Sequence, residues 1–286
     1  MSDWYLCSLA ALLLMGTQRF LYKVAAERNC GSALTTAVFM GTVTLLSSAV
    51  FFLSGEPAGD LSSLVVLSLV NSLSFTLATV AHMEALRHLP ASVTFSLTRL
   101  SILVVIVFSL LFFHERLAPL QWAGILGGVA VVGVLAGETR DATRPGGHAP
   151  AGLLFVAICI LCGALASISS KFAAISTNKA GFMALSYLMA TIFSLALEKK
   201  WGRKKAGAGT GEAIKLGVLM GLLNFSGFYA FLAALASGPL SVIALVTGMH
   251  FVIAIVLSVL IYREKMTPRR IVAIGLTLLA VLFLGS

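Results

Sequence analysis

The chain has 286 residues, of which 59% are apolar and only 11% charged, and its mean hydropathy is +1.00. A water-soluble globular chain is about half apolar and about a quarter charged, so 20 basic and 11 acidic side chains cannot cover this much apolar surface. The formal charge of +9 sits in short stretches between apolar runs rather than on one basic face, which argues against nucleic acid as a partner and for a lipid bilayer flanked by basic loops.

A hydrocarbon core of about 30 Å is crossed by about 20 apolar residues in a helix. Runs of about that length occur at 4–24, 34–53, 62–86, 91–113, 118–137, 151–171, 181–197, 213–236, 239–261 and 267–285. The expected fold is therefore all-α, a polytopic membrane protein with ten transmembrane helices. The first run opens Met-Ser-Asp-Trp without a basic start and shows no small-x-small cleavage site, so it reads as a span and not a cleavable signal. Pro90, Pro119, Pro150, Pro239 and Pro268 fall at or near helix starts, where proline removes no needed hydrogen bond, and Thr267 is placed to cap the last helix. Cys159 and Cys162 form a C-x-x-C inside an apolar run with no second pair. They read as small packing residues, and neither a metal nor another cofactor is expected. The spacings Gly124-x-x-x-Gly128 and Gly217-x-x-x-Gly221 suit close helix packing, with a homodimer contact through the peripheral fifth helix as the sharper option.

Polar connections at 138–150 and 198–212 are the longest, and the first divides the chain nearly in half. A shift of 149 residues carries Pro90-x-Ser92-Val93 onto Pro239-x-Ser241-Val242, Ser109 onto Ser258, Glu115 onto Glu264 and Pro119 onto Pro268, with no gap from 85 to 137. Lys23 and Lys171 end the first run of each half one residue off that shift. The chain thus divides into a first repeat at 1–137, a polar linker at 138–149 and a second repeat at 150–286. Five spans per repeat is an odd number, so the second copy enters the bilayer from the opposite side. Such an inverted repeat is the architecture of many secondary transporters.

The ten-helix plan resembles the drug/metabolite transporter superfamily, EamA-type. So does the doubled pattern Pro-x-Ser-Val, apolar helix, then Glu115-Arg116-Leu-Ala-Pro119 or Glu264-Lys265-Met-Thr-Pro268. The resemblance implies a carrier of small metabolites, amino acids or drugs, often an exporter, in the cell (inner) membrane, without an ATPase domain. It further implies a central cavity lined by helices one, three and four of each half.

Ionisable groups inside apolar runs are costly unless paired or wetted, which makes them pointers to function. Arg19, Tyr22, His82, Thr98 and Arg99 belong to the ends of helices one and three and the start of helix four, and are expected at similar depth. Glu84 and Lys23 are a candidate charge pair there. Asn71, Asn224, Tyr229 and His250 complete the substrate-binding candidates, with helix-to-helix hydrogen bonding as the rival role for the two amides and the histidine. For Lys23 and Lys171, reaching to the interface is the rival role. Glu115 and Glu264 are expected to cap helix starts and pair with Arg116 and Lys265. No carboxylate lies in the middle of helix one, where a proton-coupled carrier of lipophilic cations needs one, and the embedded charge is mostly positive. The expected substrate is therefore a small molecule with a carboxylate or another anionic group.

The alternatives are an intramembrane enzyme, a channel or a non-transporting membrane scaffold. Against the enzyme, there is no H-E-x-x-H, no Asp pair within the helices and no nucleophile with a credible base, so no catalytic residue is assigned. Thirteen basic residues lie on connections 1–2, 3–4, 5–6, 7–8 and 9–10 against two, Arg116 and Lys179, on the other side. This asymmetry places both termini outside the cytoplasm, whereas the family more commonly has both inside.

Overall fold

The computed structural model describes residues 2–28, 30, 32–89, 94, 97–136, 149–201, 210–263 and 267–285. Its helices are α1 (Asp3–Glu27), α2 (Ser32–Ser54), α3 (Leu61–His88), α4 (Ser101–Phe112), α5 (Pro119–Ala136), α6 (Ala149–Ser176), α7 (Lys179–Trp201), α8 (Thr210–Ser237), α9 (Leu240–Gly248), α10 (His250–Tyr262) and α11 (Pro268–Leu284). Among the described residues there is no strand, only an isolated bridge between Gly59 and Thr177. Six segments are long and apolar enough to cross a membrane, and α9 with α10 forms one of them, Leu240–Tyr262. Large apolar side chains point outward, among them Leu53, Phe52, Leu45 and Leu126. Acyl chains and not water suit such a surface.

Local chemistry sets the helix starts. Pro119 and Pro268 open α5 and α11, where a missing N–H costs nothing. Asp60 caps α3, its carboxylate accepting from the backbone N–H groups of Ser62 at 3.3 Å and Ser63 at 3.0 Å.

The ten spans form two inverted five-span repeats, and the repeats interlock. Helix α1 of the first half packs on α8 of the second, and α6 of the second packs on α3 of the first. The same exchange relates α2 on α8 to α7 on α3, while α2 meets α7 and α5 meets α11 across the symmetry axis. Neighbours in sequence such as α1 and α2 barely touch. Two backbone details repeat with the sequence. His114 and Arg263, 149 residues apart, are the two non-glycine residues with positive φ among those described, at 51° and 52°. Each ends a fourth span of its repeat in the left-handed region.

One expectation needs correction. The runs 91–113 and 239–261 are not continuous helices. Backbone turns interrupt them at Arg99–Leu100 and at Met249, again at equivalent positions of the two halves. On the near side of each break a threonine hydroxyl turns back onto its own chain: Thr98 Oγ1 donates to the Thr94 carbonyl at 2.9 Å and Thr247 Oγ1 to the Ile243 carbonyl at 2.6 Å. At the breaks the bonding tightens to three-residue spacing, with Ile102 N donating to Arg99 O and Val252 N to Met249 O. The glycine pairs, in turn, serve packing within the chain. Gly124 faces Leu284 and Ala280 of α11, and Gly128 faces Leu245 and Met249. Gly217 and Gly221 face Thr35, Val38, Phe39 and Thr42 of α2. A side chain at any of these positions would meet an atom within 3.0 Å, so these G-x-x-x-G faces pack closely against neighbouring helices of the chain, as their spacing suits.

The first-half Pro90-x-Ser92-Val93 motif, Glu264, Lys265 and residues 138–148 of the linker lie outside the described residues.

Candidate functional site

The two helix breaks lie against α1 and α6: α1 packs on the ninth span and α6 on the fourth. Glycine lets α1 come close: a Cβ on Gly16 would lie 2.7 Å from the His250 carbonyl oxygen at the ninth-span break, whereas one on Gly163 of α6 would lie 3.5 Å from Ser101 at the start of α4, an ordinary contact.

Four cationic or titratable side chains gather there. The charge of Arg19 on α1 acts on Arg99, His82 and His250, and that of Arg99 acts on both histidines. Cys159 of α6 is also within electrostatic reach of Arg99. The guanidinium carbons lie against ring faces, Arg19 at 5.7 Å from the Tyr22 centroid and Arg99 at 4.9 Å from that of Phe251. Among the described residues neither guanidinium is within ion-pair distance of a carboxylate; the ion pair found is Arg28 with Glu212, at a surface. A stacked guanidinium keeps its N–H edge available for bidentate bonds to a carboxylate or phosphate. His250 is held by its own chain, Nδ1 lying 2.7 Å from the Thr247 carbonyl, which fixes the ring and leaves Nε2 for another contact.

A chain of polar groups runs behind Tyr22. The Tyr187 hydroxyl donates to Asn224 Oδ1. Asn224 Nδ2 donates to Gln18 Oε1 at 3.3 Å, and Gln18 Nε2 donates to the Tyr22 hydroxyl at 3.2 Å. Phe39 wedges edge-on between the Tyr22 and Tyr187 rings. Asn224 is thus a strut three steps removed from Arg19. Gln18, Tyr187 and Phe251 escape a sequence search restricted to embedded charges. An amide beside an arginine inside an apolar run was the available signal for Gln18, and nothing in the pattern marks Phe251.

Other candidates lie elsewhere. Asn71 Nδ2 is engaged with the Ala166 carbonyl at 2.8 Å and the hydroxyls of Ser170 at 3.0 Å and Ser169 at 3.1 Å, which joins α3 to α6. Its amide nitrogen serves helix packing, the rival role. Thr98 is turned onto Thr94 and flanks the break. Tyr229 lies tilted against Phe225 and lines a separate pocket of about 380 Å³ with Glu56, Pro57, Asn178 and Lys179, between the α2–α3 and α6–α7 connections. Lys23 donates to Ser258 Oγ and lies 4.9 Å from the Tyr262 centroid. Glu115, expected to cap its own helix start and pair with Arg116, instead accepts from Leu240 N, Ser241 N and Ser241 Oγ of the other repeat, while Gln121 Oε1 accepts from Ala118 N before α5. Among the described residues no cluster of His, Cys, Asp and Glu could hold a metal ion.

The comparisons agree with this architecture. No curated protein matches the chain. A crystal structure of a protein 18% identical in sequence superposes with a TM-score of 0.81, over 99% of this chain and 96% of the other, a likeness that establishes the fold. The EamA-like transporter family matches twice, over residues 2–136 and again over 150–286. A doubled match that takes in both five-span repeats leaves one assignment: the chain belongs to the EamA-like transporter family.

Proposed function

We propose that this membrane transporter is a secondary carrier working by alternating access, and that it moves a small metabolite bearing a carboxylate or another anionic group, in the export direction. The observation that carries the reading is the convergence of Arg19 and Arg99 with His82 and His250 beside the two helix breaks. A cation held at mid-depth in a bilayer is costly unless it faces water or an anion, and broken helices turn backbone groups toward ligands in many secondary carriers. Energy would come from a gradient, and His82 and His250 are the side chains there whose ordinary pKa range suits proton coupling.

The test is a thermal-shift screen of the purified protein against amino acids, organic acids and quaternary ammonium compounds. Binding to the native state raises the melting temperature by mass action. Carboxylates are expected to shift it, and Arg99→Gln to remove that shift while leaving the unliganded melting temperature within a few degrees of the parent. A shift by quaternary ammonium compounds alone, or one that survives Arg99→Gln, would sink the anionic-substrate reading. Saturable counterflow of the hit in proteoliposomes separates a carrier from a channel. On the loop charges, a C-terminal reporter fusion should sit outside the cytoplasm.

A further inference from the structure

Arg19 and Arg99 are held by ring faces alone. Arg19 lies on Tyr22 of its own helix and Arg99 on Phe251 of the other repeat. Among the described residues neither guanidinium donates a hydrogen bond or pairs with a carboxylate. Glu84, two residues beyond His82 on α3, is in ion-pair contact with neither. Arg19 is exposed and Arg99 half-buried, and they are close enough for their like charges to act on one another. A guanidinium presents its N–H donors as a planar fork, and here both forks are without a protein acceptor among the described residues.

The duplication supplies no counterweight. The shift that carries Pro90 onto Pro239 sets Gly248 opposite Arg99, and the shift that carries Lys23 onto Lys171 sets Ser167 opposite Arg19. Both cations therefore belong to the first repeat. The second repeat meets them with the Phe251 ring, His250 and Cys159. Two fixed positive charges are thus left for the ligand to balance. A monocarboxylate would leave one of them uncompensated. An amino acid, whose ammonium cancels its own carboxylate, would leave both, and its ammonium would be repelled by the two guanidinium groups. A ligand with two negative charges and no ammonium leaves none. The difference matters because a carrier encloses its loaded site between the two halves, where an uncompensated charge is costly.

Resting on the anionic-substrate reading above, we propose that the substrate is a dianion without an ammonium group, its two negative charges shared between Arg19 and Arg99. A dicarboxylate and a phosphate monoester have this chemistry in common, since each offers paired oxygens to a guanidinium fork. The Tyr22 and Phe251 rings hold the forks in place beforehand, so less side-chain freedom is lost when the ligand arrives.

The test is isothermal titration calorimetry on the purified full chain at pH 8, where a phosphate monoester, with a second pKa of about 6, is dianionic. The probes are dicarboxylates of three to six carbons, each beside the monocarboxylate of equal length, with aspartate, glutamate, glycerol 3-phosphate and tetraethylammonium. At least one dianion should bind about tenfold or more tighter than its monoanionic counterpart and than either amino acid, as expected for one added charge-assisted contact. Preference for either class of dianion supports the proposal and says which source of charge the substrate carries. Arg19→Gln and Arg99→Gln should each abolish the preference, because a monoanion then balances the one charge that remains. Arg19→Lys and Arg99→Lys keep the charge and should keep the preference. An arginine with a merely structural role would lower all affinities together, so a preference that survives both glutamine substitutions overturns the proposal. Monocarboxylates or amino acids that bind the parent as tightly as every dianion overturn it too, and leave the anionic-substrate reading standing. Binding of no anion, with or without binding of tetraethylammonium, overturns both.

Discussion

Glu115 accepts the hydroxyl of Ser241 at 2.5 Å, across the boundary between the two repeats. The same carboxylate receives Leu240 N at 2.6 Å and Ser241 N at 3.2 Å. Pro239, the residue in the N-cap position of α9, makes no side-chain cap of its own. One repeat therefore supplies the helix cap that the other lacks, and the negative charge meets the positive end of the α9 dipole.

Removing that cap should be felt throughout the molecule. Glu115→Ala is expected to cost about 1–3 kcal/mol, read as a fall of several degrees in the melting temperature in detergent. Glu115→Gln retains an acceptor without the charge and should fall between. An unchanged melting temperature for Glu115→Ala would show that water or a neighbour serves α9 equally well.

Gly16 offers a steric test of the candidate site. Its Cβ would lie 2.5 Å from Ile253 Cβ and 2.7 Å from the His250 backbone oxygen, and backbone cannot swing aside. Gly16→Ala should push α1 from the ninth-span break, costing about 1–3 kcal/mol and weakening the ligand-induced thermal shift, because Arg19 sits one turn further along. Gly41 has nothing within 4 Å of its Cβ position. Gly41→Ala should therefore raise stability by about 0.5–1 kcal/mol through backbone entropy alone. Equal effects at the two positions would contradict the contact.

Asp60 predicts a pH dependence. Hydroxyl bonds from Ser62 and then Ser63 hold its carboxyl well below the usual carboxylate range. A folded pKa lower than the unfolded one gives stabilisation that is complete above the unfolded value, about 3.9. It is lost only as pH falls through the lower folded value. Asp60→Ala should thus melt slightly below the parent across pH 5–8, and the two curves should converge only in strong acid. A gap that closes near pH 6 would point to another group.

The spans and the duplication were legible because a bilayer demands long apolar runs, and because Pro239, Ser241 and Glu115 recur in their places against a background of Leu, Val and Ala. The breaks at Arg99–Leu100 and Met249 were not, since the polar residues around them, Thr98, Arg99 and Ser101 in one half and Thr247 and His250 in the other, are equally compatible with an unbroken helix lining a cavity. Partnerships reached across the repeat boundary were equally hidden. Glu115 meets a helix start 125 residues away, and Asn71 meets a carbonyl and two serines on α6, so neither neighbour in sequence announces the role. Arg99 stood out because a strong cation so deep in a span is costly unless paired or wetted, whereas Gln18 and Tyr187, being uncharged, carry no such mark and are placed only by their hydrogen bonds.

The exchange of partners between halves, α1 on α8 and α3 on α6, bears on biogenesis. When the first five helices have left the ribosome, the surfaces they will bury have not yet been synthesised. They must stay in the lipid as loosely associated rods until the eighth helix arrives. Synthesis of the N-terminal portion alone should yield no stable product, and supplying the C-terminal portion as a second polypeptide should rescue it.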